Sequence, residues 1–341
     1  MKLAAWARSL GRLRHQSAAA ESARTDAIGR TARSALQDLA SAEVVSALEA
    51  RGVPSIVLKG PSIDRALYGG GGVRSYLDSD LLVPSERIDD ARTELRGLGF
   101  STYVPPYGEA QELEHAEAWR RGDAEVMVDL HWTLSGVGVD AAELWRVLSS
   151  STERMDVAAT KVAVLRPEGI AFHVALHAAH HGPANPRSTA DLELSLNVFD
   201  ARTWQAASDL AGKLVATERF AAGLRLLPAG RELAAELGLP EGRSVETVLL
   251  TRSQTVLTLG IERIARTRGM WRKLALLGRE IVPSRAGMRV WWPKAERGPI
   301  WLLAGYLWRP LWLAANAGPA LIAWRGAVRA SRDSDGRSPG V

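Results

Sequence analysis

Apolar and polar positions change their period along the chain, and the changes mark its elements. From about Thr25 to Arg51, Leu36, Leu39, Val44, Val45 and Leu48 recur at helical spacing and Arg51-Gly52 supplies a stop. This stripe predicts a helix that buries all five residues. Ile56-Val57-Leu58 reads as a short strand ending at Lys59-Gly60, followed by a helical segment over Ser62–Tyr68 and the glycine loop Gly69–Gly72. In the next strand, Asp78 and Asp80 share one face, while Leu77, Ser79, Leu81 and Val83 take the other. Ser85–Leu98 is amphipathic, with Ser85 as cap, a stripe of Ile88, Ala91, Leu95 and Leu98, and Gly99 as stop. Phe100–Val104 reads as a strand, and Glu109–Trp119 as helix or loop with His115 at the surface. Val126, Val128 and Leu130 alternate with Glu125, Met127, Asp129 and His131, which predicts another strand. Ala141–Leu148 is helical and Lys161–Leu165 β-rich. After Pro167 helical periodicity dominates, including Asp200–Leu227, Arg231–Leu239 and Val245–Arg266.

These patterns predict an α+β chain, a small mixed-sheet domain joined to a mostly helical second domain. The expected divisions are a helical segment over 1–50, the sheet domain over 51–150 and a helical domain over 151–282. Tryptophan-rich basic helices over 283–330 and a disordered tail over 331–341 complete the chain. Its 341 residues suffice for a sizeable core. The absence of cysteine excludes disulfides and thiolate metal sites, which fits a reducing, cytoplasmic setting. The start, with Arg8, Arg12 and Arg14, lacks the apolar run of a secretory signal.

Charge is unevenly placed. The formal net charge is +5, but residues 261–341 hold 15 Lys/Arg against 5 Asp/Glu, a net of +10. Within that region Arg309 is the only formally charged residue from Ile300 to Trp324, a stretch marked by Trp301, Trp308 and Trp312. Arg309-Pro310 and Gly318-Pro319 predict two short halves. Helices packed on the rest of the chain are the first reading, peripheral contact with a membrane surface the second, and a membrane span the third.

The chemistry concentrates between Ile56 and Asp129. Two carboxylates side by side on a strand repel each other and serve no packing purpose, and a hard divalent cation is their commonest reason. If the strand bearing Asp129 pairs beside them, a third carboxylate joins the cluster. The order Leu58-Lys59-Gly60, Tyr68, Arg74, Asp78-x-Asp80, Leu81-Leu82-Val83 and Val128-Asp129-Leu130-His131-Trp132 resembles a bacterial family of nucleotidyltransferases in the DNA polymerase β-like superfamily. The likeness extends to Val282-Pro283-Ser284 and Tyr306-Leu307. It implies transfer of a nucleoside monophosphate from an NTP to an acceptor, with release of pyrophosphate. On this resemblance Asp78, Asp80 and Asp129 hold Mg²⁺ or Mn²⁺, and Lys59, Gly60, Ser62 and Arg74 bind nucleotide. Arg74 has a second reading, which is to hold Asp78 or another carboxylate in place. His131 shares the face of Asp129 and is a supporting or acceptor-side candidate. The superfamily's Gly-Ser becomes Gly60-Pro61-Ser62 here, so one helix-terminal amide is missing.

His173, His177 and His180 recur at i, i+4 and i+7, one face of a helix. They fit substrate contact or internal hydrogen bonds before a dedicated metal site. Two rival functions stand beside nucleotidyl transfer. A glycosyltransferase also uses DxD, and a degenerate scaffold would bind nucleotide or peptide without turnover. The acceptor is open: small molecule, peptide, protein or RNA.

Overall fold

The computed structural model describes residues 29, 31–69, 74, 76, 78–103, 115–122, 126–183, 185–241, 244–252 and 256–335. The expectations placed on residues 1–28, on the loop 70–73, on Leu77, Glu125 and 109–114, and on the tail from 336 lie outside them. The chain is α+β, with a seven-stranded mixed sheet in the order β3-β4-β5-β2-β1-β7-β6. The strands are β1 (Ile56–Val57), β2 (Asp78–Leu82), β3 (Phe100–Thr102), β4 (Ala116–Arg121), β5 (Val126–His131), β6 (Thr152–Val157) and β7 (Thr160–Leu165).

Alternation along β1, β2 and β5 divides the sheet into two faces. Val57, Leu81, Val128 and Leu130 point to one face and pack under helix α1 (31–50) and α3 (Ile88–Gly97). Ile56, Leu58, Leu82 and Leu165 point to the other, against α2 (Pro61–Tyr68), α4 (Ala141–Ser149) and the long α5 (Pro167–His181). Beyond α5 the chain is helical: α6 (Pro186–Val198), α7 (Ala201–Lys213), α8 (Thr217–Leu224), α9 (Pro228–Glu236), α10 (Val245–Arg252), α11 (Val256–Arg266), α12 (Met270–Ile281), α13 (Arg285–Trp291) and α14 (Pro299–Asp335). Phe172 and Phe220 join α5 to α8 with ring centroids 6.2 Å apart.

Several expectations change. Helix α1 buries Ala40, Val44, Val45 and Leu48, but Leu36 and Leu39 are 50% and 59% exposed. Their place on the inner face goes to Ser34, Gln37 and Ser41. The sheet needs polar partners there. Gln37 donates to the Met127 carbonyl at 2.7 Å and accepts from its N–H, pairing with that residue as a neighbouring strand would. Ser41 and Gln37 also meet the buried Ser79 hydroxyl, at 2.6 and 3.1 Å. The Glu109–Trp119 expectation fails where it is described, because 116–121 form β4 against β5. Residues 152–165 extend the sheet instead of opening the helical part, since β7 pairs with β1 through Val57↔Val164. The predicted Ser85–Leu98 helix begins as a 3-10 turn at Ser85–Arg87 with no side-chain cap. The C-terminal halves are one helix, α14, with Pro310 and Pro319 inside it, and it runs five residues into the predicted tail, to Asp335. No described helix is long and apolar enough to cross a membrane.

The turn after β1 brings the backbone close against β2. Gly60 has φ 78°, and a Cβ there would lie 2.9 Å from Ser79 Oγ and 3.0 Å from the Asp78 carbonyl oxygen. Gly69, at φ 71°, has open space at the same position. Gly60→Ala therefore carries both backbone strain and a clash, and should destabilise the fold by about 2–3 kcal/mol. Gly69→Ala should cost only the backbone part, roughly 1 kcal/mol. Urea unfolding of the two variants checks the difference, and equal losses would refute the close approach.

Candidate active site

Strand register gathers the carboxylates. β2 and β5 run parallel with Asp80 directly beside Asp129, and Asp78 stands two residues along β2 on the same face. One oxygen from each of the three carboxylates lies within 4.8 Å of the others, as the sequence pattern anticipated. Asp80 is buried, whereas Asp78 and Asp129 are half-buried at the floor of a cavity of about 300 Å³.

Lys59 closes the cluster. The Leu58 N–H donates to the Asp80 carbonyl at 2.8 Å, extending the β1–β2 pairing by one residue. That pairing sets the Lys59 ammonium 2.6 Å from Asp80 Oδ2. Burial opposes the Lys59 charge, but Asp80, Asp78 and Asp129 outweigh it and raise its pKa. Burial alone would likewise raise the Asp80 carboxyl. The Lys59 ammonium and His131, whose Nε2 stands 3.3 Å from Oδ2, hold it well below the usual carboxylate range instead.

Two residues expected near the nucleotide have other partners. Ser62 is buried and its hydroxyl donates to the Leu58 carbonyl at 2.8 Å, so it secures the first turn of α2. Arg74 lines the cavity and also holds a carboxylate in place, as its second reading had it, but that of Asp191. Its Nε and Nη2 each donate to Asp191 of α6 at 2.9 Å. Both side chains are buried, and the Tyr68 hydroxyl donates to the same carboxylate at 2.8 Å. Burial disfavours the Arg74 charge, but Asp191 reverses that and raises its pKa. Burial and the neighbouring Asp191 also push the Tyr68 hydroxyl up, so it stays a donor.

Helix α5 forms the opposite wall. His173, His177, His180 and His181 all line the cavity, and His115 and His131 meet them from the sheet. His115 is not the surface residue expected. It precedes Ala116, which pairs with His131, and its ring lies 5.8 Å from that of His131 and 5.9 Å from that of His180. His180 Nδ1 is 3.1 Å from the Ser135 hydroxyl. Burial first, and then the Lys59 charge, lower His173 to about 3 and His181 to about 4. Burial also carries His177 and His180 well below the ordinary histidine value. Among the described residues, neither ring nitrogen of the buried His173 finds a hydrogen-bond partner. Among the described residues, the three aspartates are the one group close enough to share an ion, so the histidines do not form the metal site weighed from the sequence. Asn185 and Arg187 at the start of α6 complete the lining.

Sequence spacing pointed to none of Asp191, His115, Ser135, Asn185 or Arg187, which reach the site from elements far apart in the chain. Asp191→Ala would leave the Arg74 guanidinium buried without its counter-charge, at an expected cost of about 3–5 kcal/mol. The paired Arg74→Met, Asp191→Leu variant should recover most of it. Urea midpoints of the wild type and both variants test this, and a double variant as unstable as the single one would contradict it.

The family described as uncharacterised nucleotidyltransferase matches residues 7–229. No curated protein matches the sequence. Among solved structures, the antibiotic-resistance factor ANT(2'')-Ia is 17% identical over 54% of this chain and 95% of its own, with a TM-score of 0.40. The same factor in complex with adenylyl-2''-tobramycin is 16% identical over 52% of this chain and 98% of its own, also at 0.40. The lincosamide antibiotic adenylyltransferase LnuA, lincomycin-bound, is 11% identical over 46% of this chain and 94% of its own, with a TM-score of 0.33. Motif order, strand register and the extent of the family match agree: this chain belongs to the family of uncharacterised nucleotidyltransferases.

Proposed function

We propose that the protein transfers a nucleoside monophosphate from an NTP to an acceptor nucleophile, releasing pyrophosphate, with Mg²⁺ or Mn²⁺ held by Asp78, Asp80 and Asp129. The convergence of these three carboxylates within 4.8 Å is the observation that carries the reading. All the donors are hard oxygens on rigid strands, which suits these cations. A bound cation of this kind would neutralise phosphate charge and favour an ionised acceptor.

The residues of the chain divide the remaining work. The bond between acceptor and α-phosphorus forms as the α–β phosphoanhydride breaks and pyrophosphate leaves. Lys59, already among the carboxylates, supplies a positive charge that can turn from Asp80 to the incoming phosphates. Gly60 allows the backbone between β1 and α2 to approach them, because no side chain stands there. Pro61 removes one amide from that helix end, and the Lys59 charge remains beside it. Asp129 and Asp78 face the cavity and the proton of the acceptor, while Asp80 is held as an anion beneath them. His131, His173 and His177 form the acceptor side, and the rings of His173 and His177, kept uncharged by burial, can both donate and accept hydrogen bonds. Arg74 acts through Asp191, fixing the chain that enters β2.

Pyrophosphate release with each NTP and Mg²⁺ or Mn²⁺, joined to mass spectrometry of candidate acceptors, tests the reading. Asp78→Asn and Asp80→Asn should each lower turnover at least roughly a hundredfold with the far-ultraviolet circular dichroism unchanged. Turnover at the wild-type rate in both variants would refute the assignment.

A further inference from the structure

Helices α12 and α14 present apolar faces that no described residue covers. In α12 no residue is buried. Met270, Leu274 and Leu277 recur along one side, with Trp271 beside them, and these four are 42–85% exposed. Arg272 and Arg279 are exposed on the opposite side of the same helix. Such a helix, apolar on one side and cationic on the other, suits neither a core nor open solvent.

In α14 the pattern is longer. Its packed side is anchored: Trp324 Nε1 donates to Glu262 of α11 at 2.7 Å, Tyr306 donates to the Pro283 carbonyl at 3.0 Å, and Ala327 packs with Val248 and Leu249 of α10. The opposite side carries Ile300, Leu303, Leu307, Leu311 and Ile322, each more than 60% exposed. At 1.5 Å per residue this stripe is about 33 Å long. Arg325 and Arg329 continue the same side immediately afterwards, both exposed. Trp301 and Trp308 flank the stripe and are 42% and 46% exposed.

We propose that this surface docks on an anionic lipid bilayer, with the apolar sides of α12 and α14 lying in the interface. The inference stands independently of the nucleotidyl-transfer reading. Charge decides the occupant. Arg325 and Arg329 lie on the stripe side of α14 itself, within a segment, residues 261–341, that carries a net of +10. A second copy meeting this face about a two-fold axis would set like charges against each other. An anionic leaflet attracts the same charges. Half-exposed tryptophans beside an apolar stripe suit a bilayer interface, where amphipathic rings settle. The helices lie on the surface and do not span it, since none is long and apolar enough to cross.

The test floats the full-length protein with vesicles of phosphatidylcholine containing about one-third phosphatidylserine, and with pure phosphatidylcholine vesicles. Binding to the anionic vesicles, with blue-shifted tryptophan emission, is expected, together with at least roughly tenfold weakening as salt rises from about 0.1 to about 1 M. Leu303→Glu with Leu307→Glu should weaken binding at least roughly tenfold, because it removes apolar area from the stripe. Arg325→Glu with Arg329→Glu should reduce it on anionic vesicles alone. These positions are exposed, so circular dichroism should remain that of the wild type. Wild-type protein that does not float would leave the face to a protein partner and overturn the proposal. Flotation that survives the leucine substitutions would overturn it too. So would a self-associated species in sedimentation that those substitutions disperse.

Discussion

The ion pair between Lys59 and Asp80 is the contact on which the centre depends. Three carboxylates within 4.8 Å repel one another, and burial of Asp80 makes its charge costlier still. The Lys59 ammonium at 2.6 Å offsets that cost without filling the cavity that Asp78 and Asp129 face. Much of the local backbone serves this placement. The Leu58 to Asp80 hydrogen bond extends the β1–β2 register, and the left-handed turn at Gly60 then leads the chain away into α2. A side chain at residue 60 would meet β2, so the turn that delivers Lys59 is one that only glycine makes without strain.

A second buried pair joins the sheet to the helices. Arg74 lies just before the acidic strand and Asp191 is 117 residues later on α6, yet they meet through two hydrogen bonds of 2.9 Å. This pair, with Tyr68, holds α6 against the start of β2, so that Asn185 and Arg187 face the cavity together with the aspartates. On the far side of the sheet Gln37 does comparable work, completing the hydrogen bonding of Met127 beside β2. The acidic strand is thus secured from both faces.

What was legible in the sequence was local or periodic. Alternation placed Asp78, Asp80 and Asp129 on one face, and the parallel β2–β5 register then brought them together. Helical spacing put His173, His177 and His180 on one side of α5. The failures have physical reasons. Leu36 and Leu39 fit an apolar stripe, but the adjoining sheet presents Ser79 and the Met127 backbone, and Gln37 and Ser41 satisfy those polar groups better than leucine would. His115 reaches the cavity only because β4 pairs with β5, a pairing invisible without strand order. Pro310 and Pro319 signalled breaks, yet tertiary anchoring through Trp324 and Tyr306 accompanies a helix that runs through both. The Arg74–Asp191 pair left no local trace, because neither residue's spacing encodes a partner more than a hundred positions away.

The central claim is that Lys59 occupies, as a counter-charge, a place that a divalent cation and a triphosphate would share. Calorimetric titration of Mn²⁺, alone and with a non-hydrolysable NTP, into the wild type and Lys59→Met tests this most directly. Removing the ammonium should strengthen binding of Mn²⁺ alone, since three carboxylates then lack their compensating charge, and should weaken binding of the nucleotide. Weaker binding of Mn²⁺ alone to Lys59→Met, with nucleotide affinity unchanged, would contradict the account.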